Sequence, residues 1–153
     1  MNLIVRFALA SLIIASLASC TKTVEVPQQP AANPIAGSWI ITDAAEYNGN
    51  SWYSFDPGTD GVFTFYNNGG AEYDDGNAIL QGSWDTYTQT GGYYDEYGNY
   101  YTDAHQTFKV QAGSSGGGTL DLYFDDISFV NASQFIGTYY NGKGIEKYIF
   151  SRY

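Results

Sequence analysis

The chain holds one cysteine, one histidine, one methionine and four prolines in 153 residues, with six basic side chains against sixteen acidic ones. A single cysteine excludes an intrachain disulfide framework and any Cys-x-x-Cys metal site. A lone imidazole, His105, excludes zinc or iron centres built from several histidines. A formal net charge of −10 excludes nucleic acid as a partner, because phosphate binding needs clustered Lys and Arg. No Gly-x-Ser-x-Gly or other nucleophile motif accompanies His105, which is expected at the surface or in a loop where a strand begins. The sixteen carboxylates single out no acid and base pair of the glycosidase kind. No catalytic residue, metal ligand or cofactor is therefore assigned, and a non-enzymatic protein is expected.

Aromatic residues and glycine are abundant: 15 Tyr, 9 Phe, 3 Trp and 18 Gly. That content excludes a disordered chain, and the length suits one domain. The N-terminus carries Arg6 and then an apolar run from Phe7 to Ala18. It reads as a secretory signal, too short for a spanning helix. Its end, Leu17-Ala18-Ser19-Cys20, resembles the lipobox of bacterial lipoproteins. The resemblance implies cleavage before Cys20, acylation of that cysteine and a lipid bilayer as partner. Residues 1–19 are then the signal peptide and 20–34 the lipidated cysteine and tether. The tether holds three of the four prolines and no aromatic, so it is partly extended, with a reach of about 40 Å. Thr21 stands where Asp would resemble an inner-membrane retention signal, which favours the bacterial outer membrane. The leaflet is left open.

Residues 35–153 show short alternating runs split by Gly, Asn and Asp, without helical periodicity. In the run 119–125, Leu120, Leu122 and Phe124 face one way and Asp121, Tyr123 and Asp125 the other. Further strands are expected at 35–43, 51–56, 61–66, 79–88, 106–110, 134–140 and 145–153. Turn signals stand between them at Asn48-Gly49, Asn68-Gly69-Gly70, Asp75-Gly76, Gly98-Asn99 and Asn141-Gly142. The class is all-β and antiparallel. About eight strands fit an up-and-down barrel or, alternatively, a β-sandwich.

Gly37-Ser38-Trp39 at the start of the first strand, with Arg152 at the end of the last, resembles the lipocalin pattern. The resemblance spans residues 35–153. It implies a barrel in which Gly37, Trp39 and Arg152 form the closure, with the arginine over the indole and a cavity for a small apolar or amphipathic ligand. It also implies that the segments 35–43 and 145–153 are hydrogen-bonded neighbours. A second Gly-x-Trp, Gly82-Ser83-Trp84, reads as the same local need for a glycine that lets an indole pack closely.

Two further features bear on function. Residues 86–102 gather Tyr87, Tyr93, Tyr94, Tyr97, Tyr100 and Tyr101 around Asp95, Glu96 and one Gly98-Asn99 turn. Tyrosine offers a flat apolar face with a polar tip, so this hairpin suits stacking on sugars or docking a protein. Tyr93, Tyr94, Tyr97, Tyr100 and Tyr101, with Trp52, form the candidate binding set for a surface glycan-binding or adhesion module. Tyrosines lining both faces of an ordinary hairpin explain the same pattern. The acidic turns at Asp56–Asp60, Asp74–Asn77 and Asp95–Asn99 match no EF-hand frame, and they read as solubilising turns with weak calcium binding left open. The anchor is directly testable. Cys20→Ala should release the protein from membranes or leave it unprocessed, and detergent partitioning of the two forms measures this. An unchanged membrane fraction contradicts the anchor.

Overall fold

The computed structural model describes residues 33–153. The signal segment, Cys20 and most of the tether lie outside the described residues. Twelve strands follow in order: β1 (Gly37–Tyr47), β2 (Trp52–Ser54), β3 (Val62–Phe65), β4 (Gly70–Asp74), β5 (Ile79–Thr90), β6 (Tyr93–Tyr94), β7 (Tyr100–Tyr101), β8 (Ala104–Gly113), β9 (Thr119–Phe124), β10 (Asp126–Asn131), β11 (Gln134–Tyr140) and β12 (Ile145–Arg152). All pairings are antiparallel, and the described residues contain no helix. The main sheet runs β10-β11-β12-β1-β3-β4-β5-β8-β9, with β2 beside β1, while β6 and β7 form a separate hairpin. Two strands lay outside the sequence expectation. β4 carries Gly, Ala and two acids, which read as turn; β10 follows β9 after a single residue, Asp125.

First and last strands pair along their length, with Trp39 opposite Arg152 and Ile41 opposite Phe150. The register shifts between Ile41 and Asp43. This bulge moves the inward face from odd to even positions, so Ala44 stands opposite Tyr148 and Glu46 opposite Glu146. Arg152 lies 4.0 Å over the Trp39 ring. Its Nη1 donates to the Ala36 carbonyl at 2.7 Å and its Nη2 to Pro34 O at 2.8 Å. Gly37 makes room for this: a Cβ there would collide with Arg152 Nη1, and its φ of 130° is one that L side chains rarely adopt. Gly82 serves a different end. A Cβ on it would strike the backbone of Gln111 and Ala112 in the neighbouring strand β8. Neither glycine makes space for its own tryptophan, which corrects the shared reading of the two motifs.

The interior is filled by rings. Trp39, Phe63, Phe65, Phe108, Phe124, Phe135 and Phe150 are almost wholly buried. Phe135 and Phe150 stack at 4.4 Å, and Trp39 meets Phe135 edge-on at 4.7 Å. The buried indole N–H of Trp39 donates to Ile35 O at 2.6 Å, so no polar group is left unpaired there.

The sheet is not closed into a barrel, and this corrects the sequence expectation of a continuous cylinder. Its hydrogen-bonded order ends at β9 on one side and β10 on the other. β8 and β11 are six antiparallel steps apart, so they run the same way; β9 and β10, each antiparallel to one of them, also run the same way. They are therefore two halves of one bent path, the first bonded to β8 and the second to β11. Asp125 causes the change of partner. Its N–H donates to Thr138 O at 2.7 Å, and its carboxylate accepts the Tyr140 N–H at 2.8 Å, occupying the β11 edge where the ladder would otherwise continue. Side chains span the seam: Phe124 rests on Gly137, where a Cβ would enter its ring, and lies 5.3 Å from Tyr148 and 5.7 Å from Phe150.

Trp39→Ala should cost on the order of 3 to 5 kcal/mol through the cavity it leaves. Arg152→Ala should cost about 1 to 3 kcal/mol, since the stacked cation and its backbone hydrogen bonds are lost together. Urea unfolding of both variants measures the difference, and an Arg152→Ala protein as stable as the parent contradicts the role given to the contact.

Candidate functional site

Two hollows flank the C-terminal end of β11, one on each of its faces. The inner one, about 380 Å³, is lined by Asp121, Leu122, Tyr123 and Phe124 of β9, Tyr139 of β11, and Glu146 and Tyr148 of β12. The β11–β12 hairpin builds it. Its Asn141-Gly142 turn sets Tyr139 opposite Glu146 and Gly137 opposite Tyr148, so an aromatic, a carboxylate and a second aromatic share the apolar face. The seam supplies the other wall, because β9 has no partner on this side. Tyr148 donates to Glu146 Oε2 at 2.7 Å, and Asn141 Nδ2 donates to Glu146 Oε1 at 2.9 Å. Burial, then the hydrogen bond to Glu146, push the Tyr148 phenol well above its usual range, so it stays a neutral donor. Tyr123 is pushed up to about 12 by burial and by hydrogen bonding with Tyr87. Apolar walls with a few convergent polar groups are the usual make-up of a small-molecule site, and the volume lies at the lower end of the ~300 to 1,000 Å³ range.

The outer hollow, about 460 Å³, is lined by Gly92, Tyr93, Tyr94, Tyr100, Asp125 and Tyr140. It forms because the β6–β7 hairpin folds back over the sheet instead of standing free. Thr138 donates to Tyr94 O at 2.7 Å, and the Tyr94 and Tyr140 rings lie 5.2 Å apart. Gly98 packs against Tyr47 and Ile145. Lys147 ties the hairpin down, donating to Glu96 O at 3.3 Å while lying 4.0 Å over Trp52. Of the sequence-derived binding set, Tyr93, Tyr94 and Tyr100 come together here. Tyr101 stacks on Tyr93 beside them, Tyr97 points away at 74% exposure, and Trp52 packs against Tyr47. Leu122, Tyr139, Glu146 and Tyr148 of the inner hollow were not singled out from sequence. The one available signal was the hairpin register, which puts a tyrosine and a glutamate in the apolar rows of two neighbouring strands.

His105 departs from expectation. It is buried, not at the surface, with its ring 4.2 Å from that of Tyr93 and its Nδ1 3.1 Å from the Asp103 carbonyl oxygen. Tyr93 is pushed up to about 12 by burial and by its hydrogen bond to Asp103. Asp126 lies in the same region. Burial raises its carboxyl to about 6; the nearness of His105 opposes the rise, while Glu96 and Asp95 add to it. The carboxylates of the acidic turns cap backbone N–H groups: Asp56 accepts from Gly58, Asp74 from Gly76, and Asp95 from Tyr97 and Asn99. Burial alone would raise Asp95, but the side chain and N–H of Asn99 and the N–H of Tyr97 outweigh it and hold the carboxyl below its ordinary value. Among the described residues no three His, Cys, Asp or Glu side chains gather as metal ligands.

Comparison with family models, with curated proteins and with solved structures finds no match for this chain.

The Asp126 environment sets a pH dependence. Its folded carboxyl titrates near 6 against an ordinary 3.8, so between those values the folded state holds a proton that the unfolded state has lost. The group is therefore unfavourable above pH 6, and its contribution to stability recovers as the pH falls towards 4. Since it is only half-buried, the expected gain from Asp126→Asn at pH 7.5 is about 1 kcal/mol, vanishing near pH 4. Thermal melts of both proteins across that range measure it; an equal gain at both ends contradicts the assignment.

Proposed function

We propose that this chain is a lipid-anchored lipoprotein of the bacterial outer membrane whose lipocalin-like β domain is a non-enzymatic binding module for a small amphipathic ligand. The lipobox-like Cys20 supports the anchor. The up-and-down strand order, with β9 and β10 as one bent path, and the Arg152–Trp39 contact support lipocalin-like architecture over a sandwich. The observation that carries the binding role is the inner cleft. Leu122, Phe124, Tyr139 and Tyr148 offer an apolar wall, and Glu146 a polar end, at a site open to solvent. The packed rings of the interior favour a site at the rim over one in the centre.

A second reading, glycan binding, is favoured by the outer hollow, where three sequence-derived tyrosines surround Asp125. Aromatic faces with a carboxylate suit a sugar ring and its hydroxyls. One comparison separates the two. Leu122→Trp fills the cleft and should abolish binding of the neutral probe 1-hexanol, read from tyrosine ring resonances, while leaving the melting temperature within a few degrees. Tyr100→Ala should leave hexanol binding intact and weaken retention only on a glycan affinity gel. Hexanol binding that survives Leu122→Trp and falls with Tyr100→Ala overturns the cleft reading in favour of the hairpin.

A further inference from the structure

The charge around the inner cleft bears on the kind of ligand it takes, and this step rests on the binding role proposed above. Seven residues line the cleft; two are carboxylates, Asp121 and Glu146, and none is Lys or Arg. The partners of the Glu146 carboxylate are neutral, the Tyr148 hydroxyl and the Asn141 amide, which hold it in place without cancelling its charge. Asp121 is likewise joined by a neutral amide, Gln111 Nε2, at 3.1 Å. Glu46 stands opposite Glu146 on the adjoining strand, adding a third carboxylate at the same end of the sheet. The nearby Lys147 is committed elsewhere, to Trp52 and Glu96 O on the other face.

The walls favour the same sign. Tyr139, Tyr148 and Phe124 bring aromatic rings to the walls, and the electron-rich face of a ring attracts cations. The whole chain carries a formal net charge of −10, which raises the local concentration of cations and repels anions. Lys109 stands opposite Tyr123, on the sheet face that carries Asp121, but an anionic headgroup at the β11–β12 end would meet Glu146 with only neutral donors beside it. A neutral one would leave the carboxylates unanswered.

We propose that the cleft selects organic cations: an ammonium head set against Glu146, with an apolar body lying along Leu122, Phe124 and the rings of Tyr139 and Tyr148. The seam makes this fit. Because β9 is unpaired on the cleft side, the apolar body gains access between β9 and the β11–β12 hairpin, which a closed ladder would seal.

The test uses the full-length lipoprotein in phosphatidylcholine nanodiscs and three probes of one chain length: hexylammonium, 1-hexanol and hexanoate. Binding is read at the Tyr148 ring resonances, assigned by their loss in Tyr148→Phe, and is referred to the free probe concentration measured beside protein-free nanodiscs, which removes the effect of partitioning into the bilayer. Hexylammonium should bind about tenfold more tightly than hexanol, the scale of a partly buried charge pair, with hexanoate weakest. Glu146→Gln, which keeps the acceptor for Tyr148, should bring hexylammonium and hexanol within about twofold of each other. On the unaltered protein, added salt should shrink the preference, so the inference stays testable even where the variant folds poorly. Equal or tighter binding of hexanol or hexanoate overturns the cation preference but leaves the amphipathic site standing. A preference that ignores both salt and Glu146→Gln overturns it too. A Tyr148 signal unmoved by all three probes removes the site itself.

Discussion

The guanidinium of Arg152 joins three parts of the chain that are far apart in sequence. It stacks on Trp39, binds the carbonyls of Ala36 and Pro34 where the domain begins, and its Nε reaches the Ala132 carbonyl in the β10–β11 turn. A half-buried cation held by three carbonyls and a ring disfavours other registers, because each slip would forfeit those contacts together. With Trp39 fixed opposite Arg152, the β1 bulge follows at Thr42, whose hydroxyl meets Ser151 Oγ at 3.0 Å. Beyond the bulge Ala44 and Glu46 turn inward beside Tyr148 and Glu146. The position of the cleft wall is thus set at the opposite end of β12, six residues from the contact that locks it.

The packed interior explains why the inner cleft sits at the rim. Seven large rings fill the space between the strands, each in contact with others at 4.4 to about 6 Å. Rings packed this closely fill the centre of the domain with the chain's own side chains. The inner cleft opens where the strand ladder changes partner, and Asp125 makes that change. By taking the Tyr140 N–H itself, the Asp125 carboxylate spares β11 an unpaired donor while detaching β9 from it. Phe124 against Gly137 then holds the detached edge by packing in place of hydrogen bonds. The β6–β7 hairpin covers the outer side of β11, fastened through Thr138 and Lys147.

Much of the fold was legible because its determinants are local. Alternation in Leu120, Leu122 and Phe124 reveals a half-buried strand, and Asn-Gly or Asp-Gly pairs mark turns whose glycines do take positive φ, as at Gly49, Gly76 and Gly142. The pairing of the first and last strands was legible for a different reason: the resemblance carried by Gly37, Trp39 and Arg152 implied it, and Arg152 does stack on Trp39 across that pairing. β4 was illegible, since Gly-Ala-Glu-Tyr-Asp has the composition of a turn and becomes a strand only between β3 and β5. The break at Asp125 was illegible too, because nothing local tells a strand that it will change neighbours midway. His105 escaped for a similar reason: its burial depends on Tyr93 arriving from twelve residues away.

The cleft was hidden by that same non-locality, yet its chemistry follows from composition once the fold is known. A chain with sixteen acids and six bases must place carboxylates almost everywhere on its surface. Several serve turns, where Asp56, Asp74, Asp75 and Asp95 cap backbone N–H groups. Glu146 differs: it stands in the inward row of a strand, among rings, with only neutral donors around it. Partial burial penalises such a charge, and the hydrogen bonds from Tyr148 and Asn141 oppose that penalty. An apolar residue opposite Tyr139 would pack there without that penalty. Held by two neutral donors of its own hairpin, the carboxylate gives the apolar row a polar end.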